Sequence, residues 1–99
     1  KTAEAMRLVL GSLIDDRNVR AIIVNFTTCG VRLDLIGQSL VTVFGEFGKR
    51  LEKPVFVHLQ GNRATLGQGI VREAGYRVCE SLGEAVRGAC NAAKDQKAS

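Results

Sequence analysis

Ninety-nine residues are one domain's worth of chain, and a composition 45% hydrophobic, with four Phe and no Trp, describes a globular protein with an aliphatic core. Its apolar runs fall far short of the ~20 residues that cross a bilayer, and nothing after Lys1 reads as a signal peptide. The net charge of +4 is spread among acids without the basic cluster and stacking aromatics of a nucleic-acid binder, and three cysteines lacking a CxxC spacing argue against a disulfide framework and against zinc.

Met6, Val9, Leu10 and Leu13 recur at helical spacing and predict a first helix over residues 2–14, with Thr2 as its N-cap. Asp15, Asp16, Arg17 and Asn18 form a turn cluster that ends it. Residues 21–26 are a run of apolar and β-branched side chains, the pattern of a strand in a parallel sheet covered on both faces. After a loop of small residues, Ile36, Leu40, Val43, Phe44 and Phe47 mark a second helix over 35–47, capped by Asp34 and stopped by Gly48. Residues 49–53 are a charged connector, and Pro54 opens a second apolar strand over 55–59.

Gln60, Gly61 and Asn62 repeat the strand-to-helix turn. A third helix over 64–74 turns Leu66, Ile70, Val71 and Ala74 inward and stops at Gly75. Gly67 and Gly69 each weaken it by ~1 kcal/mol relative to Ala, unless close packing requires them. Residues 76–79 are a short third strand. Ser81 and Glu84 form a capping box for the last helix, whose apolar positions are Leu82, Ala85, Val86, Ala89 and Ala93, while residues 94–99 are expected to fray. With no linker or repeat, residues 1–99 read as a single domain. The order α-β-α-β-α-β-α predicts an α/β fold with a three-stranded parallel sheet between helices. Such a sheet leaves open edges, and a missing first strand ahead of Lys1 is the simplest cover.

In parallel sheets ligands sit where a strand's carboxyl end feeds the next helix, and free N–H groups there favour an anion. The first such place is the stretch from Asn25 through Thr27, Thr28, Cys29, Gly30, Val31 and Arg32. Asn25 ends the strand and is expected to fix the loop by side-chain hydrogen bonds. Arg32 suits a carboxylate or phosphate, or equally an ion pair with Asp34. His58, inside a strand, reads as a structural histidine. Cys29 reads as a loop residue, and Cys79 and Cys90 as core.

Val24-Asn25 with Val31-Arg32-Leu33-Asp34, and Leu59-Gln60-Gly61-Asn62 with Leu66-Gly67, carry a family likeness. Across essentially its whole length the chain resembles the C-terminal, flavodoxin-like domain of succinyl-CoA synthetase β subunits, a domain shared with malate-CoA ligase and ATP-citrate lyase. The resemblance implies a three-layer α/β/α fold. It also implies a part in making an acyl-CoA from a carboxylic acid, CoA and ATP or GTP with Mg2+, by way of an acyl phosphate and a phosphohistidine on the α subunit. Cys29, Gly30 and Val31 would then offer backbone groups to the substrate carboxylate at the subunit interface, with Asn25, Thr27, Thr28 and Arg32 in support. No catalytic or metal-binding residue falls in this segment. The nucleotide would be held by a preceding ATP-grasp domain and CoA by the α subunit, so the 99 residues alone should not turn over. The cytoplasm or the mitochondrial matrix would be the compartment.

Three departures stand out. Thr27-Thr28-Cys29-Gly30-Val31-Arg32 occupies the place of a family loop that reads Phe-Gly-Gly-Ile-Val-Arg, Gln60 replaces Glu, and His58 replaces Arg. β-Branched Thr resists positive φ, so the loop is expected to follow a different path, with the Thr27 and Thr28 hydroxyls doing some of the donating. The altered loop implies a different substrate or a weakened site. An alternative reading is a non-catalytic flavodoxin-like module for assembly or ligand sensing; a catalytic loop, by contrast, needs donors converging on one point.

Overall fold

Val55 to Leu59 are buried at five successive positions, and the sheet is built outward from them. A computed structural model describes residues 2–98, with side chains as far as Lys94. The elements in order are α1 (Thr2–Asp15), β1 (Ile22–Thr28), α2 (Leu33–Phe47), a 3-10 turn (Gly48–Arg50), β2 (Val55–Gly61), α3 (Ala64–Glu73), β3 (Arg77–Val78) and α4 (Leu82–Ala98). The sheet runs β1-β2-β3, all parallel, with Ile22 opposite Val55 and Thr28 opposite Gly61. No described helix is long and apolar enough to cross a membrane.

Helices α1, α2 and α3 cover one face. Met6, Leu10 and Ile14 of α1 meet Leu40, Val43 and Phe44 of α2, with Val71 of α3, over Ile22, Val55, Val57 and Leu59. Burying side chains such as Phe44, Leu40 and Leu33, each at most 1% exposed, contributes roughly 1.5–3 kcal/mol apiece. On the other face α4 alone packs, setting Ala85 and Ala89 on Phe56 and Cys79. The result is the three-layer α/β/α arrangement of a flavodoxin-like fold short of a strand.

The last layer is thin, and this corrects the expectation that both strands are covered on both sides. In β1 exposure alternates, with Ile23, Asn25 and Thr27 open where α4 does not reach. β1 is also an edge strand, flanked by an apolar groove that includes Met6, Val9 and Ile23. Val9 therefore belongs to the groove rather than the core, at 60% exposure, while Ile14 takes its place inside.

Other boundaries shift for local reasons. Helix α2 begins at Leu33, so Asp34 lies in its first turn instead of capping it; Arg32 is the N-cap residue and makes no side-chain cap bond. Thr2 is already helical, and the position before it lies outside the described residues. Helix α3 turns Gly67 and Val71 inward and leaves Leu66 56% exposed, because α3 crosses α2 at a glycine pair too close to admit a leucine. Ala74 has left the helix and is exposed. Leu82, Val86 and Cys90 lie on the outer side of α4, and only Cys79 of the two expected core thiols is buried. The backbone of α4 is helical to Ala98, past the expected fraying point, since residues 89–98 contain no Gly or Pro; Ser99 lies outside the described residues.

The capping box works as the sequence reads. Ser81 Oγ accepts the Glu84 N–H at 3.0 Å, while Glu84 reaches back to the Glu80 N–H at 3.2 Å. At the end of α1, Lys53 Nζ donates to the carbonyls of Leu13 and Asp16, both at 2.6 Å.

Candidate functional site

The carboxyl ends of β1 and β2 lie side by side, and the turns leaving them are tied together. Thr27 and Thr28 belong to the strand, so the connecting loop is only residues 29–32. Both ends of that loop are held by Asn62. Its N–H donates to the Thr28 carbonyl at 3.3 Å, and its own carbonyl accepts the Leu33 N–H at 2.9 Å. Gly61 makes this approach feasible: its φ is +132°, and a Cβ there would fall 1.6 Å from the Thr28 oxygen.

Inside the loop, Thr28 Oγ1 accepts the Gly30 N–H at 3.1 Å. No residue from 27 to 32 has a positive φ, and a Cβ on Gly30 would meet nothing nearer than Thr28 Oγ1 at 4.0 Å. The missing family glycines thus leave no strain behind. The hydroxyls have partners within the chain: Thr27 Oγ1 donates to Asn25 Oδ1 at 3.1 Å, while Thr28 Oγ1 accepts from the Gly30 N–H and keeps its own proton to donate. What remains are the amides of Cys29, Val31 and Arg32, which have no partner among the described residues. They stand exposed beside the first turn of α2, where unpaired N–H groups and the helix dipole favour negative charge.

Arg32 resolves to the ion pair. Its Nε and Nη2 clamp the two Asp34 oxygens at 3.2 and 2.7 Å. This contact holds the Asp34 carboxyl below the usual carboxylate range against the opposing effect of burial, with smaller help from the Leu35 amide and the charge of Arg63. The same pairing raises Arg32 above its ordinary value. Arg32 therefore braces the start of α2, two of its nitrogens engaged by Asp34 while the side chain stays half exposed.

Beneath the loop, His58 is 3% exposed, with Nδ1 2.8 Å from Asn25 Oδ1. An amide oxygen only accepts, so Nδ1 carries the proton. Asn25 thus ties β1 to β2 and holds Thr27, and His58 is the satisfied structural histidine its setting suggests. The structure gathers Thr28, Cys29, Gly30, Val31 and Arg32 around the α2 N-terminus, with Asn25, Thr27 and His58 on the α4 side of the sheet. Sequence reasoning missed the roles of Gly61 and Asn62 in fixing the loop. Their only visible signal was a Gly-Asn turn.

No family model matches the chain. Among curated proteins it is similar to the succinate–CoA ligase [ADP-forming] subunit beta of Actinobacillus succinogenes, 38% identical over 96 residues, which is 95% of this chain and 23% of that protein. The subunit of the same name from Mannheimia succiniciproducens is 36% identical over 96 residues, again 95% of this chain and 23% of the relative. That of Haemophilus influenzae is 35% identical over 97 residues, or 96% and 23%. The chain spans less than a quarter of the length of these relatives. Matched along nearly all of its residues to one stretch of these subunits, the chain is homologous to that part of the succinate–CoA ligase β subunit.

Proposed function

We propose that this segment recognises a substrate carboxylate for an acyl-CoA-forming ligase and forms part of the contact with its α subunit. One observation carries the reading: the unpartnered amides of Cys29, Val31 and Arg32 lie together at the start of α2, on a loop tied at both ends to Asn62. Backbone N–H groups suit a carboxylate oxygen, and donors already fixed in place need little ordering when the acid arrives. Gly30 lets the acid come close without steric demand, and Asn25 with Thr27 steadies the strand below. These residues bind and orient the acid. Nucleotide, Mg2+ and CoA are held by the ATP-grasp domain and the α subunit, and supply the phosphoryl group and the acyl acceptor when bound. Acyl phosphate and phosphohistidine chemistry takes place on those parts.

The test is an NMR titration of the 99-residue chain with succinate. Shifts should concentrate on the amides of Cys29, Val31 and Arg32, with weak affinity, on the order of millimolar, because few bonds form in an open site. Shifts confined to other regions would refute the reading. The ion pair that occupies Arg32 favours one alternative, a non-catalytic assembly module of the same fold. That module would associate with an α subunit while showing no response to succinate.

A further inference from the structure

β1 pairs with β2 along one side and forms the sheet edge on the other. The Ile22 N–H donates to the Pro54 carbonyl at 2.9 Å, and strand alternation turns residues 24, 26 and 28 toward β2 as well. The N–H and carbonyl groups of Ile23, Asn25 and Thr27 therefore point out of the edge, a template for one more strand. On the α2 side of the sheet, α1 packs against α2 and roofs the groove with Met6 and Val9. No charged side chain lines that groove, and Thr2 and Asn25 are its only polar ones.

Dimensions and handedness describe what fits there. The 14 residues of α1 make a roof ~21 Å long, close to the span of a six- or seven-residue strand at ~3.3 Å per residue. Right-handed crossovers hold α2 and α3 on one face as the chain steps from β1 to β2 to β3. α1 lies on that same face, so a strand feeding it belongs on the far side of β1 from β2 and parallel to it.

A second copy fits the edge poorly. Antiparallel pairing of two β1 strands about a two-fold axis would set both α1 helices on one face, over the same two strands. Paired strands lie ~4.8 Å apart, whereas packed helices need about 8–10 Å. Each roof would occupy the space of the other. Chain to supply a lone strand is ample, because the matched stretch is only 23% of the length of the Actinobacillus succinogenes and Mannheimia succiniciproducens subunits.

We propose that the groove between α1 and the β1 edge seats one further parallel strand, an uncharged and mainly apolar segment of the full-length polypeptide that precedes Lys1. Its backbone bonds Ile23, Asn25 and Thr27, and its alternate side chains fill the space under Met6 and Val9. β1 then becomes an interior strand, which steadies loop 29–32 at its carboxyl end.

The experiment compares the 99-residue chain with the full-length polypeptide that contains it, each unaltered and as Val9→Asp. Hydrogen exchange of the Ile23, Asn25 and Thr27 amides should be slower in the longer protein by on the order of a hundredfold. Val9 is 60% exposed in the chain alone, so Val9→Asp should leave that melting temperature nearly unchanged and lower that of the longer protein by several degrees. Equal exchange in the two proteins, or an equal effect of Val9→Asp on both, would overturn the proposal. Protection of the three amides that grows with the concentration of the 99-residue chain would assign the edge to a second copy instead. Protection that the full-length polypeptide gains only on adding its α subunit would assign the edge to that partner.

Discussion

Gly67→Ala should destabilise the fold, and Gly69→Ala two positions along the same helix should do the reverse. A Cβ on Gly67 would lie 2.3 Å from the Leu33 carbonyl oxygen, 2.9 Å from its carbon and 3.2 Å from Leu59 Cδ1. Ordinary carbon–oxygen approach is ~3.3 Å, so α3 and α2 must separate by about 1 Å. The obstacle is backbone and cannot swing aside, which puts the overpacking cost near the top of its usual range, about 3 kcal/mol. The gain in helix propensity from Gly to Ala returns about 1 kcal/mol. The net loss is about 2 kcal/mol, a fall of roughly 8–16 °C in melting temperature for a domain of this size. At Gly69 nothing lies within 4 Å of an added methyl and φ is not positive, so only the gain of up to about 1 kcal/mol remains. Urea unfolding of both variants, with equal m-values, is the assay. Gly67→Ala as stable as the unaltered chain, or Gly69→Ala equally destabilised, would refute the packing argument.

Acid titration should show Asp34 ionising below the ordinary value of about 3.9. Because its folded-state pKa is lowered, its contribution to stability is present above that ordinary value and is lost as pH falls through the lowered one. Carbon NMR of the Asp34 carboxyl checks this, and Arg32→Gln should move the titration to higher pH; an unchanged titration would dismiss the pair as its cause. Lys53→Met should lose the two carbonyl contacts that close α1, costing about 1–2 kcal/mol, with faster amide exchange in the last turn of α1 as the local signature. Thr28→Val keeps the strand but removes the acceptor of the Gly30 N–H. Exchange of the Gly30 amide should quicken while overall stability changes by less than about 1 kcal/mol, since solvent can replace the lost partner.

The fold was legible because each apolar run has one period and a clear end. Residues 55–59 could only be a covered strand, and Ile36, Leu40, Val43 and Phe44 only one face of a helix. What failed was partnering. Val9 and Val86 have core-like spacing, but three helices crowd one face of the sheet and α4 covers the other only in part, so the same spacing ends in solvent. Leu66 misled for a related reason: periodicity marks two adjacent stripes on α3, and the glycine crossing at Gly37 and Gly67 chose the one without leucine. At the candidate site, strand and helix boundaries located the loop that joins β1 to α2. Its internal bonds were out of reach, because Asn62 acts through its backbone N–H and carbonyl, which no side-chain pattern reports.

Those backbone bonds change how the unusual Thr-Thr-Cys-Gly loop should be read. Judged by composition, replacing glycines in a ligand-contacting turn suggests a loop forced onto another path. In the structure the demands for glycine lie on the neighbouring turn and helix. Gly61 admits the Thr28 carbonyl, Gly67 admits the Leu33 carbonyl, and Asn62 bonds the residues at both ends. Once Thr28 and Leu33 are placed, only four residues join them, and none needs a positive φ. The Thr28 hydroxyl then supplies what glycine cannot, an internal acceptor that holds the Gly30 amide while leaving those of Cys29, Val31 and Arg32 without a partner among the described residues. The substitutions are therefore compatible with a working anion loop. They exchange the freedom of paired glycines for a stiffer loop whose remaining donors are fixed before a ligand arrives.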